Sequence, residues 1–135
     1  MEWTVTSAVL AMVRAEAAAA HPYECCGLLL GQKRDGACAI TQAVPAANVA
    51  AKPARRFEID PAALIAAHRA ARAGGPQVLG YYHSHPTGDA RPSATDQAMA
   101  AGDGRVWAIV AGCDICWWAD DEAGFAPLPC SVVES

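Results

Sequence analysis

Residues 77–96 read QVLGYYHSHPTGDARPSATD. The apolar run Gln77–His85 has strand character, Pro86 stops it, and Ser93 opens a helix after a short loop. Side chains alternate across a strand, so His83 and His85 project from one face at its end. Two imidazoles placed that way can both reach one metal ion. Asp96 offers a third donor if loop 86–92 folds the helix start back onto the strand end, and seven residues suffice for that return. Three protein ligands leave tetrahedral zinc one position for water, the pattern of a catalytic rather than a structural site.

Each part alone has a plainer explanation. An H-x-H at a strand end is more often a surface or core pair, and Ser93-Ala94-Thr95-Asp96 matches a helix-start capping box. Their coincidence favours the metal. No H-E-x-x-H helix is present, so a general base must come from elsewhere. Glu24, in His21-Pro22-Tyr23-Glu24-Cys25-Cys26-Gly27, stands at the mouth of an apolar run, where a carboxylate drawn inward needs a partner. A solvated carboxylate at the strand end is the simpler reading of that position by itself.

The rest of the chain alternates irregularly between helix and hairpin patterns. A helix is expected from Ser7 to about Ala20, with Leu10, Val13 and Ala17 on one face and Pro22 beyond its end. Cys25–Gln32 and Ala37–Val44 read as strands joined by an Asp35-Gly36 turn. Residues 45–54 read as loop and Phe57–Ile59 as a short strand. Asp60-Pro61 starts a helix to about Ala73, which Gly74-Gly75-Pro76 ends. A helix from Ser93 to about Ala101 follows, and Val106–Ala111, Ile115–Ala119 and Phe125–Val132 are expected to close an antiparallel meander. The pattern favours a mixed-sheet α/β or α+β domain, and 135 residues suit one domain, 1–135.

Composition narrows the function. Hydrophobic residues make up 53% and charged residues 18%, so a buried core is feasible. The net charge is −4 and Lys33 and Lys52 are the only lysines, which argues against nucleic-acid binding through phosphates. No apolar run approaches the roughly 18 residues of a membrane span. The N-terminus lacks a basic leader segment, so a cytoplasmic location is expected, with the six cysteines reduced and mostly serving as small core hydrophobes.

Together, Glu24, then His83-Ser84-His85-Pro86, six residues, Ser93 and Asp96 read E…H-S-H-P-x6-S-x-x-D. This resembles the JAMM motif of the MPN+ zinc metalloproteases, prokaryotic stand-alone type. Pro22–Gly31 resembles the family's glutamate-bearing strand, and Asn48 with Arg56–Asp60 resembles the stretch before its second helix. The resemblance implies a cytidine-deaminase-like α/β fold with a mixed sheet and flanking helices. It implies His83, His85 and Asp96 as zinc ligands, Glu24 as general acid and base, and Ser93 as a donor to the oxyanion. It also implies a partner: a ubiquitin-like sulfur-carrier protein with a Gly-Gly tail, from which a C-terminal amino acid or peptide is removed. Asn48 is most simply a loop residue, with a hydrogen bond to an extended substrate tail as the functional alternative. Ser84 reads as structural support, and His21 as structural or as a neighbour of the site.

Three other functions compete with this one. Zinc deaminases need H-x-E and P-C-x-x-C. Here Cys113-Asp114-Ile115-Cys116 follows Gly112, and no H-x-E occurs. A non-catalytic MPN scaffold would be expected to have lost motif positions, and none is lost. A peptidase acting on phage or cell-wall peptides stays open at this level.

Overall fold

Strand β1 (Glu2–Thr6) passes directly into helix α1 (Ser7–Ala20), with Thr6 as N-cap, its hydroxyl oxygen accepting the Val9 N–H. Strands β2 (Cys26–Arg34) and β3 (Ala37–Ala46) form a hairpin whose turn residues Asp35 and Gly36 both have positive φ, 43° and 81°. That is the turn geometry that matches strand twist. Helix α2 (Pro61–Arg72) is capped by Asp60, which accepts the Ala62 N–H. Strand β4 (Gln77–Ser84), helix α3 (Ala94–Met99) and strands β5 (Val106–Ala111), β6 (Asp114–Asp121), β7 (Gly124–Pro127) and β8 (Ser131–Val133) complete the chain. These elements come from a computed structural model that describes residues 1–134.

All eight strands join one mixed sheet in the order β7-β6-β5-β4-β2-β3-β1-β8. Laid flat, its two edge strands would stand about 33 Å apart at the usual 4.7–4.9 Å spacing. Yet only residues 128–130 connect β7 to β8, and the chain from Pro127 to Ser131 reaches at most about 14 Å. The sheet must therefore curl until its edges approach each other.

Alternation divides the core between the two sheet faces. Val5, Leu29, Ile40, Tyr82, Val106, Ala108 and Val110 pack with α1 residues Val9, Leu10 and Val13. Leu28, Leu30, Val78 and Trp107 face the other way, against Phe57, Ile59 and the α2 residues Ala63, Leu64 and Ala67. Burial on both faces explains why β2 and β5 read as apolar runs. Gly27 is required where β2 crosses Tyr82, because a Cβ there would overlap the phenol ring. No helix among the described residues is long and apolar enough to cross a membrane.

The mixed sheet with helices on its faces is the expected class. Three details differ. Strand β1 was not anticipated, and it forms an internal parallel pair with β3. The expected strand Phe125–Val132 breaks in two: Pro127 and Pro129 lack ladder donors, and beyond them Ser131 pairs in parallel with Thr4 on the opposite edge. The expected strand Phe57–Ile59 reduces to one bridge, Asn48 to Ile59.

Candidate active site

Strand β4 is central, antiparallel to β2 and parallel to β5, with His83 opposite Cys26 and Ile109. His85 lies just past its end, but its N–H still donates to Val110 O at 2.8 Å, so the strand geometry carries through. The two rings share a face, and their Nε2 atoms stand 3.0 Å apart. Loop 86–92 returns the start of α3 to this point. Asp96 then closes the group, Oδ1 at 3.1 Å from His83 Nε2 and Oδ2 at 3.0 Å from His85 Nε2.

The capping box forms as well. The Asp96 N–H donates to Ser93 Oγ at 3.0 Å and the Ser93 N–H donates to Asp96 Oδ2 at 2.9 Å. One device therefore serves both readings of the tetrapeptide: the cap fixes the carboxylate that faces the histidines. The Ser93 hydroxyl accepts in this pair, which leaves its hydrogen available to a further acceptor.

Glu24 enters from β2's side, its carboxylate within 4.8 Å of both imidazoles. It is 6% exposed, and its Oε1 is buried with no partner. Burial raises its pKa to about 7; His85 pulls it down and Asp96 pushes it up. For Asp96, burial alone would raise the pKa, but the hydrogen bonds with His83 and His85 hold it well below the usual carboxylate range. Burial lowers the pKa of His83. Burial opposes charge on His85 too, but its bonds to Asp96 and Asp89 outweigh that and raise it.

The group passes a simple test of fit for a tetrahedral cation. Bonds of about 2.0–2.1 Å place neighbouring donor atoms about 3.3 Å apart, and the two Nε2 atoms and the Asp96 oxygens approach at 3.0–3.1 Å. The His85 Nδ1–H donates to Asp89 O at 2.6 Å, so Nε2 is the nitrogen that a cation would take in place of its proton. Two nitrogens and a carboxylate oxygen form a donor set suited to zinc.

A cleft of about 320 Å³ opens on the group, lined by Glu24, Arg55, His85, Thr87, Arg91 and Ser93. A second hollow of about 430 Å³ lies across the Pro86-Thr87 ridge, beside Ala17 and His21. Arg91 is paired with Asp89 in the exposed rim.

Asn48 lies in a loop beside Glu24. Its two N–H bonds go to Glu24 O at 2.9 Å and Arg56 O at 3.1 Å, so neither donor is left for a substrate tail. Ser84 does act as support: its Oγ accepts the Cys25 N–H at 2.9 Å. Two contributors were missed from sequence. Phe57 stacks on His83, and the Trp118 Nε1–H donates to Ala90 O at 3.1 Å, anchoring loop 86–92. Neither carries a local signal, since each acts across a long stretch of chain.

A family model described as prokaryotic homologs of the JAB domain matches residues 6–120. A desampylase from Haloferax volcanii is 40% identical over 101 residues, covering 75% of this chain and 71% of the relative. A probable TtuB-protein conjugate cleaving protease from Thermus thermophilus is 34% identical over 92 residues, 68% of this chain and 59% of that relative. Among solved structures, a protein from Desulfitobacterium hafniense matches with a TM-score of 0.86 at 27% identity, covering 98% of this chain and 93% of the other. A JAB1/MPN domain protein from Archaeoglobus fulgidus matches in fold, with a TM-score of 0.66 at 21% identity over 98% of both chains.

Proposed function

Because the chain belongs to the prokaryotic JAB-domain family, we propose that it is a zinc-dependent peptidase or isopeptidase. Its substrate is an amide bond following the C-terminal Gly-Gly of a ubiquitin-like or sulfur-carrier protein, and residues 1–135 form one such catalytic domain. One observation carries the reading: His83 Nε2, His85 Nε2 and the Asp96 carboxylate converge within 3.1 Å, beside a buried glutamate oxygen that has no partner.

The site offers two carboxylates, and their settings separate their roles. Asp96 touches both imidazoles and is held ionised, so it suits a ligand. Glu24 sits farther off with a pKa near 7, so it suits a group that takes up and releases a proton at neutral pH. Zinc held by His83, His85 and Asp96 would acidify a water molecule and polarise a carbonyl. Glu24 Oε1 takes the proton from the attacking water and gives it to the leaving nitrogen. The Ser93 hydroxyl donates to the carbonyl oxygen as charge develops there.

The substrate class is supported by the names of the two relatives, a desampylase and a conjugate-cleaving protease. A cleft of about 320 Å³ with Arg55 and Arg91 at its walls suits a glycine tail, which brings no side chain to accommodate. A reducing, cytoplasmic setting is supported by six free thiols.

The test uses purified protein and a Gly-Gly carrier extended at its C-terminus, either by a peptide or by an isopeptide-linked lysine. The expected result is about one zinc per chain, release of the extension and loss of release with a chelator. Zinc without cleavage of either form would favour a scaffold; ammonia release from cytidine would favour a deaminase.

A further inference from the structure

Glu24 precedes β2, so no sheet ladder holds its backbone. Its N–H donates instead to Pro53 O at 2.8 Å, and its carbonyl accepts the Asn48 side-chain N–H at 2.9 Å. Both partners belong to the segment 48–58. Asn48 also gathers that segment around itself. Its second N–H donates to Arg56 O, while its Oδ1 accepts the Ala50 N–H at 3.1 Å and the Glu58 N–H at 3.0 Å. Both donors and both lone pairs of the amide are thereby used. The same segment carries Phe57, whose ring lies against His83 at a centroid distance of 4.2 Å.

From these contacts we infer that Asn48 is a positioning residue, a clamp that sets Glu24 against the histidine pair through segment 48–58. The inference rests on Glu24 acting as the proton carrier proposed above. An amide in a simple loop turn would bond only to its own loop. This one spends a donor on the backbone of Glu24, and the loop it closes reaches the His83 ring from the other end. Asparagine is suited to the task because it offers two donors and two acceptors on a short, planar group. Aspartate keeps the shape but turns oxygens toward the two carbonyls of Glu24 and Arg56.

The test compares wild type with Asn48→Asp and Asn48→Ala. With zinc loaded and the extended carrier as substrate, kcat is expected to fall on the order of 10- to 100-fold. KM should stay within about twofold and zinc content should hold at one per chain. Ile40→Val, a core change on the opposite sheet face, serves as a comparator that lowers stability without lowering kcat. In metal-free protein, amide exchange at Glu24 is expected to quicken about tenfold or more in Asn48→Asp relative to β5 amides. A kcat loss matched by Ile40→Val, or a loss confined to KM, overturns the inference. So does unchanged exchange at Glu24, whatever the activity. If wild type itself cleaves nothing, the proposed function fails separately, and the exchange measurement still decides whether the clamp exists.

Discussion

Phe57 lies flat against His83, ring centroids 4.2 Å apart and planes 22° from parallel. Trp107 meets the same imidazole edge-on at 5.6 Å. His83 is fully buried and its Nδ1 has no hydrogen-bond partner, so aromatic packing orients this ring where the proposed ligand role would otherwise call for a hydrogen bond. Phe57→Leu keeps apolar bulk and removes the stacking. Stability should fall by about 1–2 kcal/mol and zinc affinity by about tenfold, read by competition with a chelating dye. Unchanged affinity would show that the strand alone orients His83.

The two carboxylates should separate cleanly by substitution. Asp96→Asn retains an acceptor for the Ser93 N–H, so the helix start survives, but the charge facing the imidazoles is lost. Zinc content after dialysis should drop far below one per chain. Glu24→Gln should keep its zinc and lose turnover by about 100-fold or more. Metal analysis of the two variants side by side checks both. The opposite pattern, zinc lost with Glu24→Gln and kept with Asp96→Asn, would exchange their roles.

A pH dependence follows from a different carboxylate. Glu16 on α1 accepts a hydrogen bond from the Tyr82 hydroxyl, and burial raises its pKa above the usual 4.5. The unfolded chain therefore releases this proton at lower pH than the folded one. The stability Glu16 contributes is complete below about pH 4.5 and is lost as pH rises through the elevated folded value. Glu16→Gln removes this dependence. Urea midpoints of metal-free wild type and Glu16→Gln should compare least favourably for wild type at pH 7.5, and the gap should narrow toward pH 4.5. A gap that widens on acidification would reverse the sign assigned to this group.

Gly27→Ala probes the β2–β4 contact that carries the site. The added methyl would overlap the Tyr82 ring, which cannot retreat without giving up Glu16. A stability loss of about 1–3 kcal/mol is expected, measured by denaturant unfolding at constant m. A neutral outcome would mean that β2 and β4 can slide apart.

What could be read from sequence was what the chain encodes locally. Strand alternation put His83 and His85 on one face, and the capping pattern placed Ser93 and Asp96 at a helix start, because both depend on residues within a few positions of each other. The return of Asp96 to the histidines required only a short loop. The missed parts depend on distant pairing. Trp118 reaches Ala90 from β6, and Asn48 reaches Glu24 across the β2–β3 hairpin. The partner of β8 is set by sheet curvature rather than by any pattern in Ser131–Val133. Pro127 and Pro129 did mark a break, but not where the chain goes after it.

Anomalous scattering at the zinc edge, from crystals grown with zinc, locates the metal directly. One peak is expected about 2.0–2.1 Å from His83 Nε2, His85 Nε2 and an Asp96 oxygen, with Glu24 outside bonding distance. A peak ligated by Glu24 with Asp96 free, or one seated at Cys113 and Cys116 with the histidines bare, would contradict it.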